Sequence, residues 1–374
     1  MQRRYLLATT AGTLGAAGMS MLALPSNAQT KSVGVSAEDI KPMTTPAHLQ
    51  NSSAGPFSTQ PWGGSQRIDA GRYTIERVTY KSQGTDIVGN AFVPTGTGRK
   101  PAVVVIGPVA YVKEQSPMQY ASRLVREGYV VLIFDPRHHG ESGGEPRRLE
   151  SRRAKVEDLL VSVDYLLQRP DVDAQHIHLL GVCQGANWAI EASTLDTRIK
   201  ALALVAGHYL VPEVAALYLG SAEKVAERLA RARAAREAFE QSGELRYIPI
   251  VSATDPQALL TAPVIREFYE RWAYRGAFWN FHGLWENRIL AMSEADIWGH
   301  QVDAVMQRLH TPTIMVHANR AASGPVVSRK LFEQIPARKK ELAWLSDQNQ
   351  MQFYEDPVTI DQVAPQLARF FQSI

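Results

Sequence analysis

The chain is 374 residues long, and its hydrophobic content of 45% and charged content of 21% are those of an ordinary globular protein with a large core. The formal net charge is only +3, which excludes the strongly basic surface of a nucleic-acid-binding protein. Cys183 is the single cysteine, so no internal disulfide can form and its thiol is free.

The N-terminus has the pattern of an export signal. Arg3 and Arg4 precede an apolar stretch of small residues that extends to Leu24, and the tripeptide ending at Ala28 resembles a signal-peptidase site. We therefore predict a twin-arginine-type signal over residues 1–28 and a periplasmic or secreted protein without stable membrane insertion after cleavage. An uncleaved anchor is the alternative, although glycines and threonines interrupt the apolar run. Loss of Arg3 and Arg4 reduces the 40 basic residues to 38, against 37 acidic ones.

Residues 29–71 are rich in Ser, Thr, Pro, Gly and Gln without a sustained period, which predicts a surface linker. Two alternating segments follow, Arg72 to Tyr80 and Thr85 to Val93, and they predict an antiparallel pair of strands at a sheet edge. Short apolar runs typical of strands buried on both faces come next, at residues 101–106, 129–134, 177–182 and 200–206.

Helical segments separate these buried runs, at residues 116–127, 149–168 and 186–195. Regular alternation of buried strands and helices predicts an α/β domain with a mostly parallel, doubly wound sheet and right-handed crossovers. After a change of pattern at residues 209–300, the alternation resumes with a strand, a helix, a strand and a closing helix at residues 311–316, 327–335, 341–345 and 358–371.

Residues 209–300 contain no convincing buried strand and are predicted to form a helical cap inserted after the sixth strand, so that residues 72–208 and 301–374 make up the α/β core. A helix at residues 221–241 carries arginines predicted to form a solvated face, with a site for an acidic ligand as the alternative: Arg228, Arg231, Arg233 and Arg236. Aromatic residues further along either roof an apolar pocket or simply form the core of the cap: Phe268, Tyr269, Trp272, Tyr274, Phe278, Trp279, Phe281 and Trp285.

The segment at residues 179–187 joins a buried strand to a helix through a sharp turn at Cys183. Gly181 and Gly185 flank the cysteine at the two positions where a strained turn needs small residues. Such a turn presents the thiol at the helix N-terminus, where unpaired N–H groups favour a thiolate or an oxyanion. The pattern predicts a nucleophile elbow, and a buried, inert cysteine is the alternative.

The order of the strands, the elbow and the cap together resemble the α/β-hydrolase fold from about Tyr73 to the C-terminus. More narrowly, Gly107-Pro108, Lys113-Glu114-Gln115, Asp135 with residues 140–147, and Gly181-Val182-Cys183 resemble the cysteine-bearing, dienelactone-hydrolase-like branch. The resemblance implies attack by the nucleophile on an acyl carbon, with a histidine held by a carboxylate moving the proton. It also implies an oxyanion site formed by the N–H groups of Gln184 and Val109.

Two positions depart from the pattern of that family. Its carboxylate follows the first strand after the cap, where this chain carries Asn319, and its histidine follows the last strand, where this chain carries Gln350. No histidine occurs after His317. An amide can orient a carbonyl or a water but cannot accept a proton at neutral pH, so the triad is atypical.

A substitute base would have to come from another strand end. His208 follows the strand at residues 200–206, whose end is expected beside the elbow, and its ordinary pKa suits the role. A structural histidine under the cap is the alternative. His138 and His139 are weaker candidates, His282 is weaker still, and His317 is predicted to be buried support. No group of residues has metal-ligand spacing, so we predict no metal and no cofactor.

Two functions are consistent with this sequence. The first is an exported hydrolase that cleaves an ester, thioester or lactone-like acyl bond of a small molecule, with Cys183 as nucleophile and His208 as relocated base. The second is a degenerate hydrolase that binds a small carbonyl- or carboxylate-containing ligand, or catalyses a non-hydrolytic reaction, through Asn319 and Gln350.

Overall fold

A computed structural model describes residues 67–69, 71–273 and 285–374. Its strands, in chain order, are β1 Arg67–Asp69, β2 Tyr73–Ser82, β3 Thr85–Pro94, β4 Lys100–Ile106, β5 Val130–Phe134, β6 Val172–Val182, β7 Ile199–Val205, β8 Tyr247–Ile248, β9 Ile289–Leu290, β10 Thr313–Arg320 and β11 Lys340–Asn349. Nine of them form one sheet in the order β1-β2-β3-β5-β4-β6-β7-β10-β11. The pairs from β1 to β5 are antiparallel, and all pairs from β5 to β11 are parallel.

The helices, in chain order, are α1 Ser116–Leu124, α2 Arg152–Leu167, α3 Gly185–Leu195, α4 Pro212–Leu219, α5 Ala222–Ser242, α6 Pro263–Ala273, α7 Glu294–Trp298, α8 Val302–Met306, α9 Gly324–Gln334, α10 Gln352–Glu355 and α11 Pro357–Gln372. Side-chain caps begin three of them: Ser151 for α2, Ser221 for α5 and Asp356 for α11. Among the described helices, none combines the length and apolar character needed to cross a membrane.

The predicted fold class is confirmed, since a mostly parallel sheet alternates with helices and a helical segment is inserted between β7 and β10. Every residue of β5 and the stretch of β4 from Ala102 to Ile106 are fully buried. Apolar runs buried on both faces are expected for parallel strands covered by helices, and for this reason these segments could be recognised from the sequence.

Two expectations about strands were wrong. β1 lies in the predicted linker, where Ile68 pairs with Ile75 of β2, and a strand of three residues is too short to show a period. The inserted segment, predicted to lack strands, contains the antiparallel pair β8 and β9, in which Tyr247 pairs with Leu290. Residues 43 apart in sequence meet there, so only long-range packing determines this pair.

The carboxyl ends of the parallel strands meet at one edge of the sheet, which is where ligands bind in open α/β sheets. β4 ends at Ile106, β6 at Val182 and β7 at Val205. Backbone hydrogen bonds tie the turns at this edge together, because Cys183 N–H donates to the Val205 carbonyl over 3.0 Å. The inserted segment begins and ends beside the same edge.

Candidate active site

The turn at Cys183 has the geometry of a nucleophile elbow. Cys183 has a φ of +57°, in the left-handed region that L side chains rarely adopt. A Cβ added to Gly181 would lie 2.7 Å from the Ala186 Cα, and one added to Gly185 would lie 2.5 Å from the Gly107 carbonyl oxygen. Only glycine fits at both positions, so the elbow packs directly against the loop that follows β4.

A cavity of about 250 Å³ opens above Cys183. Most of its wall is apolar and comes from the inserted segment: Val214, Leu217, Tyr218, Leu260, Val264, Ile265 and Tyr269. The core contributes side chains that bear polar atoms: Cys183, His208, Arg320, Ser323, Gln350 and Tyr354. Among the described lining residues, Arg320 alone carries a full charge, so the interior suits an apolar chain that ends in a carbonyl group.

The thiol of Cys183 is buried among hydrogen-bond donors. The side chains of Tyr354 and Gln350 and the backbone N–H groups of Gln184 and His208 lie around the sulfur. These donors lower the pKa, but burial in an apolar surrounding has the larger effect and raises the pKa of Cys183 to about 11. The thiol is therefore protonated at neutral pH in the empty site.

Gln350 has every polar atom of its amide engaged. Its Nε2 donates to the Ala206 carbonyl over 2.8 Å and to the Tyr354 hydroxyl over 3.1 Å, and its Oε1 accepts from the Ala322 N–H over 2.7 Å. Because the Tyr354 oxygen accepts from Gln350, the Tyr354 proton is free to point at the sulfur of Cys183. Gln350 thus contributes hydrogen-bond donors and an acceptor but no base.

Tyr354 is a site residue that the sequence reasoning missed. It lies on α10, four residues after Gln350, and this spacing of one helical turn was the signal that could have found it. Its ring packs on Phe268 of α6, with ring centroids 5.3 Å apart. Burial raises the pKa of Tyr354 well above its ordinary value, so the phenol stays protonated and acts as a donor.

Asn319 is not brought to the thiol. It is exposed near the end of β10, where its Oδ1 accepts from Trp344 Nε1 over 3.0 Å, and it does not line the cavity. The structure thus places this amide outside the cavity, and its correspondence with the family's carboxylate stays a prediction. β10 continues to Arg320, and because side chains alternate along a strand, Arg320 rather than Asn319 reaches the cavity.

His208 lies in the cavity wall, but its ring is turned toward the inserted segment. The ring centroid is 5.7 Å from that of Tyr218 and 6.5 Å from that of Trp298. Within the described part of the chain, its contact with Cys183 is made by the backbone N–H and not by the imidazole. Burial lowers the pKa of His208 to about 4, so the imidazole is neutral at pH 7.

The remaining histidines are away from the thiol. His138 and His139 do not line the cavity, and His139 is buried with its Nε2 3.5 Å from Glu150 Oε2. His317 is buried and hydrogen bonded through Nε2 to Ser328 Oγ over 3.0 Å, as a supporting residue would be. His282 lies outside the described residues. In the chain as described, no three His, Cys, Asp or Glu side chains form a set that could hold a metal ion.

One of the two predicted oxyanion donors belongs to a residue that lines the cavity. This residue is Val109, and among the described residues its N–H has no protein acceptor, while the N–H of Gln184 lies near the sulfur. The Val109 carbonyl accepts from the Tyr269 hydroxyl over 3.0 Å. Two N–H groups beside one thiol can stabilise the oxygen of an attacked carbonyl.

The inserted segment uses its charged and aromatic residues internally. Arg228 and Arg231 both pair with the buried carboxylate of Glu294, at 3.2 and 2.5 Å, so the predicted solvated face is wrong for these two arginines. Of the predicted aromatic residues, Tyr269 lines the cavity. Trp285 stacks on the Tyr269 ring, with ring centroids 5.3 Å apart. Tyr274, Phe278, Trp279 and Phe281 lie outside the described residues.

A parallel sheet that alternates with helices, a strained turn between a strand and a helix, and a helical segment inserted above that turn define an α/β hydrolase. The family model described as Serine aminopeptidase, S33 matches residues 113–349, and the chain belongs to this family. The narrower resemblance to a dienelactone-hydrolase-like branch stays a prediction.

Comparison with known proteins gives relatives of this chain. The uncharacterized protein PA2218 of Pseudomonas aeruginosa is 34% identical over 167 residues, which span 42% of this chain and 45% of PA2218. The uncharacterized protein YcjY of Escherichia coli is 28% identical over 281 residues, 72% of this chain and 88% of YcjY. The thiohydrolase aneE of Aspergillus aculeatus is 30% identical over 164 residues, 42% of this chain and 49% of aneE.

Solved structures share the fold. The crystal structure of PA2218 has a TM-score of 0.68 at 24% identity and covers 84% of this chain and 98% of its own. The α/β hydrolase GrgF of Penicillium has a TM-score of 0.65 at 24% identity and covers 80% of this chain and 98% of its own. At this level of identity, the likeness establishes the α/β-hydrolase fold.

Proposed function

We propose that this α/β hydrolase acts on an activated acyl bond, a thioester above all, of a substrate with an apolar acyl chain, and that Cys183 is the nucleophile. The observation that carries the proposal is the Cys183 thiol on its left-handed turn, at the floor of an apolar cavity and beside the N–H groups of Gln184 and Val109. Relatives bearing the names thiohydrolase and acyltransferase support the acyl chemistry.

The protonation states at the site favour a substrate with a good leaving group. The pKa of Cys183 is about 11 and that of His208 is about 4, so a thiolate–imidazolium pair is strongly unfavourable in the empty site. A thiolate released from a thioester has an ordinary pKa of about 8.5, far below that of an alkoxide. A thioester therefore demands less of the base than an alkyl ester does.

Apart from water or a second acyl acceptor, the reaction needs no further reagent. As the sulfur of Cys183 bonds to the acyl carbon, the thiol proton leaves toward the neutral imidazole of His208 or directly toward the departing thiolate. The Tyr354 hydroxyl donates to the sulfur and stabilises its negative charge during attack. The acyl–sulfur bond of the substrate breaks, its thiol is released, and water or a second acceptor then takes the acyl group and regenerates Cys183.

The test compares the octanoyl thioester of N-acetylcysteamine with p-nitrophenyl octanoate and ethyl octanoate. We expect turnover of the first two, no detectable turnover of the third, and complete loss in Cys183→Ala. Because Cys183 is the only cysteine, iodoacetamide should abolish the same activity. Turnover that survives both treatments would rule out the covalent mechanism.

The role of His208 as proton acceptor is tested separately. His208→Ala should lower kcat for the thioester by about tenfold or more, since general base catalysis typically contributes 10²- to 10⁴-fold. His310→Ala, a change of an exposed histidine that does not line the cavity, serves as the control. An unchanged kcat in His208→Ala would end the hypothesis of a relocated base while leaving Cys183 in its role.

A degenerate hydrolase that only binds a ligand is the second candidate. The fully hydrogen-bonded Gln350 amide and the raised thiol pKa favour it. In that case octanoate should raise the melting temperature equally in the wild type and in Cys183→Ala, and none of the esters or thioesters should turn over.

We also propose that the protein is exported. The support is Arg3 and Arg4 before an apolar stretch that ends near Ala28, all outside the described residues. Cell fractionation of full-length chains should show periplasmic or secreted protein shortened by about 28 residues, and replacement of both arginines by lysine should retain the longer form in the cytoplasm. Export that is insensitive to the double replacement would exclude the twin-arginine route.

A further inference from the structure

The loop after β4 is held in a strained conformation beside the cavity. Ala110 has a φ of +51°, and a left-handed backbone costs a non-glycine residue about 1–2 kcal/mol. The peptide that joins Val109 to Ala110 is held at both ends: its carbonyl accepts from the Tyr269 hydroxyl over 3.0 Å, and its N–H donates to Glu150 Oε2 over 3.0 Å. The next carbonyl, that of Ala110, accepts from Trp285 Nε1 over 2.8 Å.

Glu150 is fully buried and carries its own counter-ion. Its other carboxylate oxygen pairs with the ammonium of Lys155, which is equally buried and lies 5.2 Å from the ring centroid of Tyr111 in the same loop. The backbone N–H of Glu150 donates to Ser293 Oγ over 3.0 Å. This hydrogen bond fixes the backbone that carries the Glu150 side chain. Neither side chain lines the cavity, so neither touches substrate.

Stability alone does not account for this pair. Buried ion pairs are often no more stable than apolar residues of similar volume, because both charges lose their hydration. An ionised carboxylate does, however, accept a stronger hydrogen bond from an N–H group than a neutral acceptor does. The ion pair thus provides a strong hydrogen-bond acceptor for the Ala110 N–H in the strained loop.

We propose that Glu150 is a positioning residue, which acts through the peptide between Val109 and Ala110 to keep the Val109 N–H aimed at the developing oxyanion. This role rests on the proposed acyl transfer. Rotation of that peptide would break the bonds to Glu150 and Tyr269 together, and it would turn the neighbouring peptide that bears the Val109 N–H. Lys155 is the counter-ion of that carboxylate.

Two double variants separate positioning from stability. Glu150→Leu with Lys155→Met removes both buried charges and the acceptor for Ala110, whereas Glu150→Gln with Lys155→Met removes the charges and retains an amide oxygen as acceptor. We expect kcat for the octanoyl thioester to fall about 30-fold in the leucine variant with KM changed less than twofold, and at least a tenfold recovery in the glutamine variant. Equal kcat values in the two double variants would overturn the proposal.

A matched control addresses folding. Asp158 and Arg137 form another buried ion pair, which does not line the cavity, and Asp158→Asn should lower the melting temperature without changing kcat. If the leucine variant fails to fold, Tyr269→Phe provides a second test. It removes the hydrogen bond to the Val109 carbonyl and should lower kcat with little change in KM. A kcat equal to that of the wild type in Tyr269→Phe would then overturn the proposal.

A readout without turnover distinguishes failure of this inference from failure of the proposed function. 1,1,1-Trifluoro-2-decanone adds to a thiol, with formation of a carbon–sulfur bond and transfer of the thiol proton to the carbonyl oxygen, and ¹⁹F NMR measures the adduct. The leucine variant should bind it about tenfold more weakly than the glutamine variant even if no thioester turns over. Equal affinities would refute the role of Glu150 whatever the outcome for catalysis.

Discussion

At the scale of single residues, the chemistry of the site is decided by a competition at the Cys183 sulfur. The polar groups around the sulfur favour the thiolate, and burial under the inserted segment disfavours it. Burial has the larger effect, because an unsolvated charge loses more than neutral donors restore. The thiol is thus poised to form an anion only when substrate and proton acceptor are both in place.

Tyr354→Phe should make the thiol less acidic. The variant loses the donor with the largest stabilising effect on the thiolate, so the pKa of Cys183 should rise above about 11. Since only the thiolate reacts, iodoacetamide alkylation should increase with pH toward that pKa in the wild type and be slower in the variant at every pH. Tyr129→Phe is the control, because that buried phenol donates to the Ala368 carbonyl away from the cavity. Identical alkylation profiles for Tyr354→Phe and wild type would contradict the contact.

Gln350→His should introduce the missing base. An imidazole at this position replaces an amide that lies beside the sulfur, so hydrolysis of p-nitrophenyl octanoate should rise by at least tenfold. Adding Asn319→Asp should bring less than a twofold further gain, because Asn319 is exposed and bonded to Trp344. Steady-state kinetics on the single and double variants measure both gains. A large gain that requires Asp at 319 would contradict the position of Asn319 outside the cavity.

At the scale of structural elements, the elbow and the loop after β4 form one unit. The contact distance between a hypothetical Cβ on Gly185 and the Gly107 carbonyl leaves no room for a side chain. The same loop is then held by Glu150 from α2's N-terminal side and by Tyr269 and Trp285 from the inserted segment. Displacement of any one element therefore moves Cys183 relative to the loop that carries Val109.

Gly185→Ala should therefore lower kcat by more than its effect on the conformation of residue 185 alone would. The new methyl group would lie 2.5 Å from a backbone oxygen, so the loop must move and kcat should fall by about 100-fold or more, the usual cost of losing an oxyanion donor. Gly243→Ala provides the contrast, since it meets open space and strains only a left-handed helix end. That control should lose about 1 kcal/mol of stability and no activity. Equal kcat values for the two alanine variants would contradict the close approach.

At the scale of the whole molecule, burial of neutral imidazoles couples stability to pH. Burial lowers the pKa of His178 to about 3 and the pKa values of His208 and His300 to about 4. An unfolded histidine titrates near 6.5, so between pH 6.5 and 4 the unfolded chain binds more protons than the folded one. Stability is therefore complete above pH 6.5 and is lost as the pH falls through this window.

His178→Phe should reduce this loss. His178 stacks on Phe371 with ring centroids 4.5 Å apart, and phenylalanine keeps the stacking without a titratable group. Each such histidine contributes a slope of up to about 1.4 kcal/mol per pH unit, so the variant's melting temperature should fall less steeply between pH 6.5 and 4. His310→Gln, at an exposed position, should leave the slope as in the wild type. A slope unaffected by His178→Phe would argue against a buried neutral imidazole there.

Local patterns in the sequence were sufficient to predict the alternating strands and helices, the elbow at Cys183 with Gly181 and Gly185, and the α/β-hydrolase fold. Strand burial, helix period and turn sterics are properties of neighbouring residues, so they can be read from a single chain. The exposure of Asn319, the Arg228 and Arg231 pairs with Glu294, and the β8–β9 pair were not predicted, because each depends on residues that are distant in sequence.

The sequence by itself determined that a lone thiol lies on a sharp turn at the end of a buried strand, and it led to the prediction that Gln350 takes the place of the family's histidine. Only the tertiary structure decided that Tyr354 lies beside that thiol, that the His208 ring faces Tyr218, and that Glu150 accepts from the Ala110 N–H. The reason is physical: a backbone turn follows from local sterics, whereas the direction and ionisation of a side chain depend on every element packed around it.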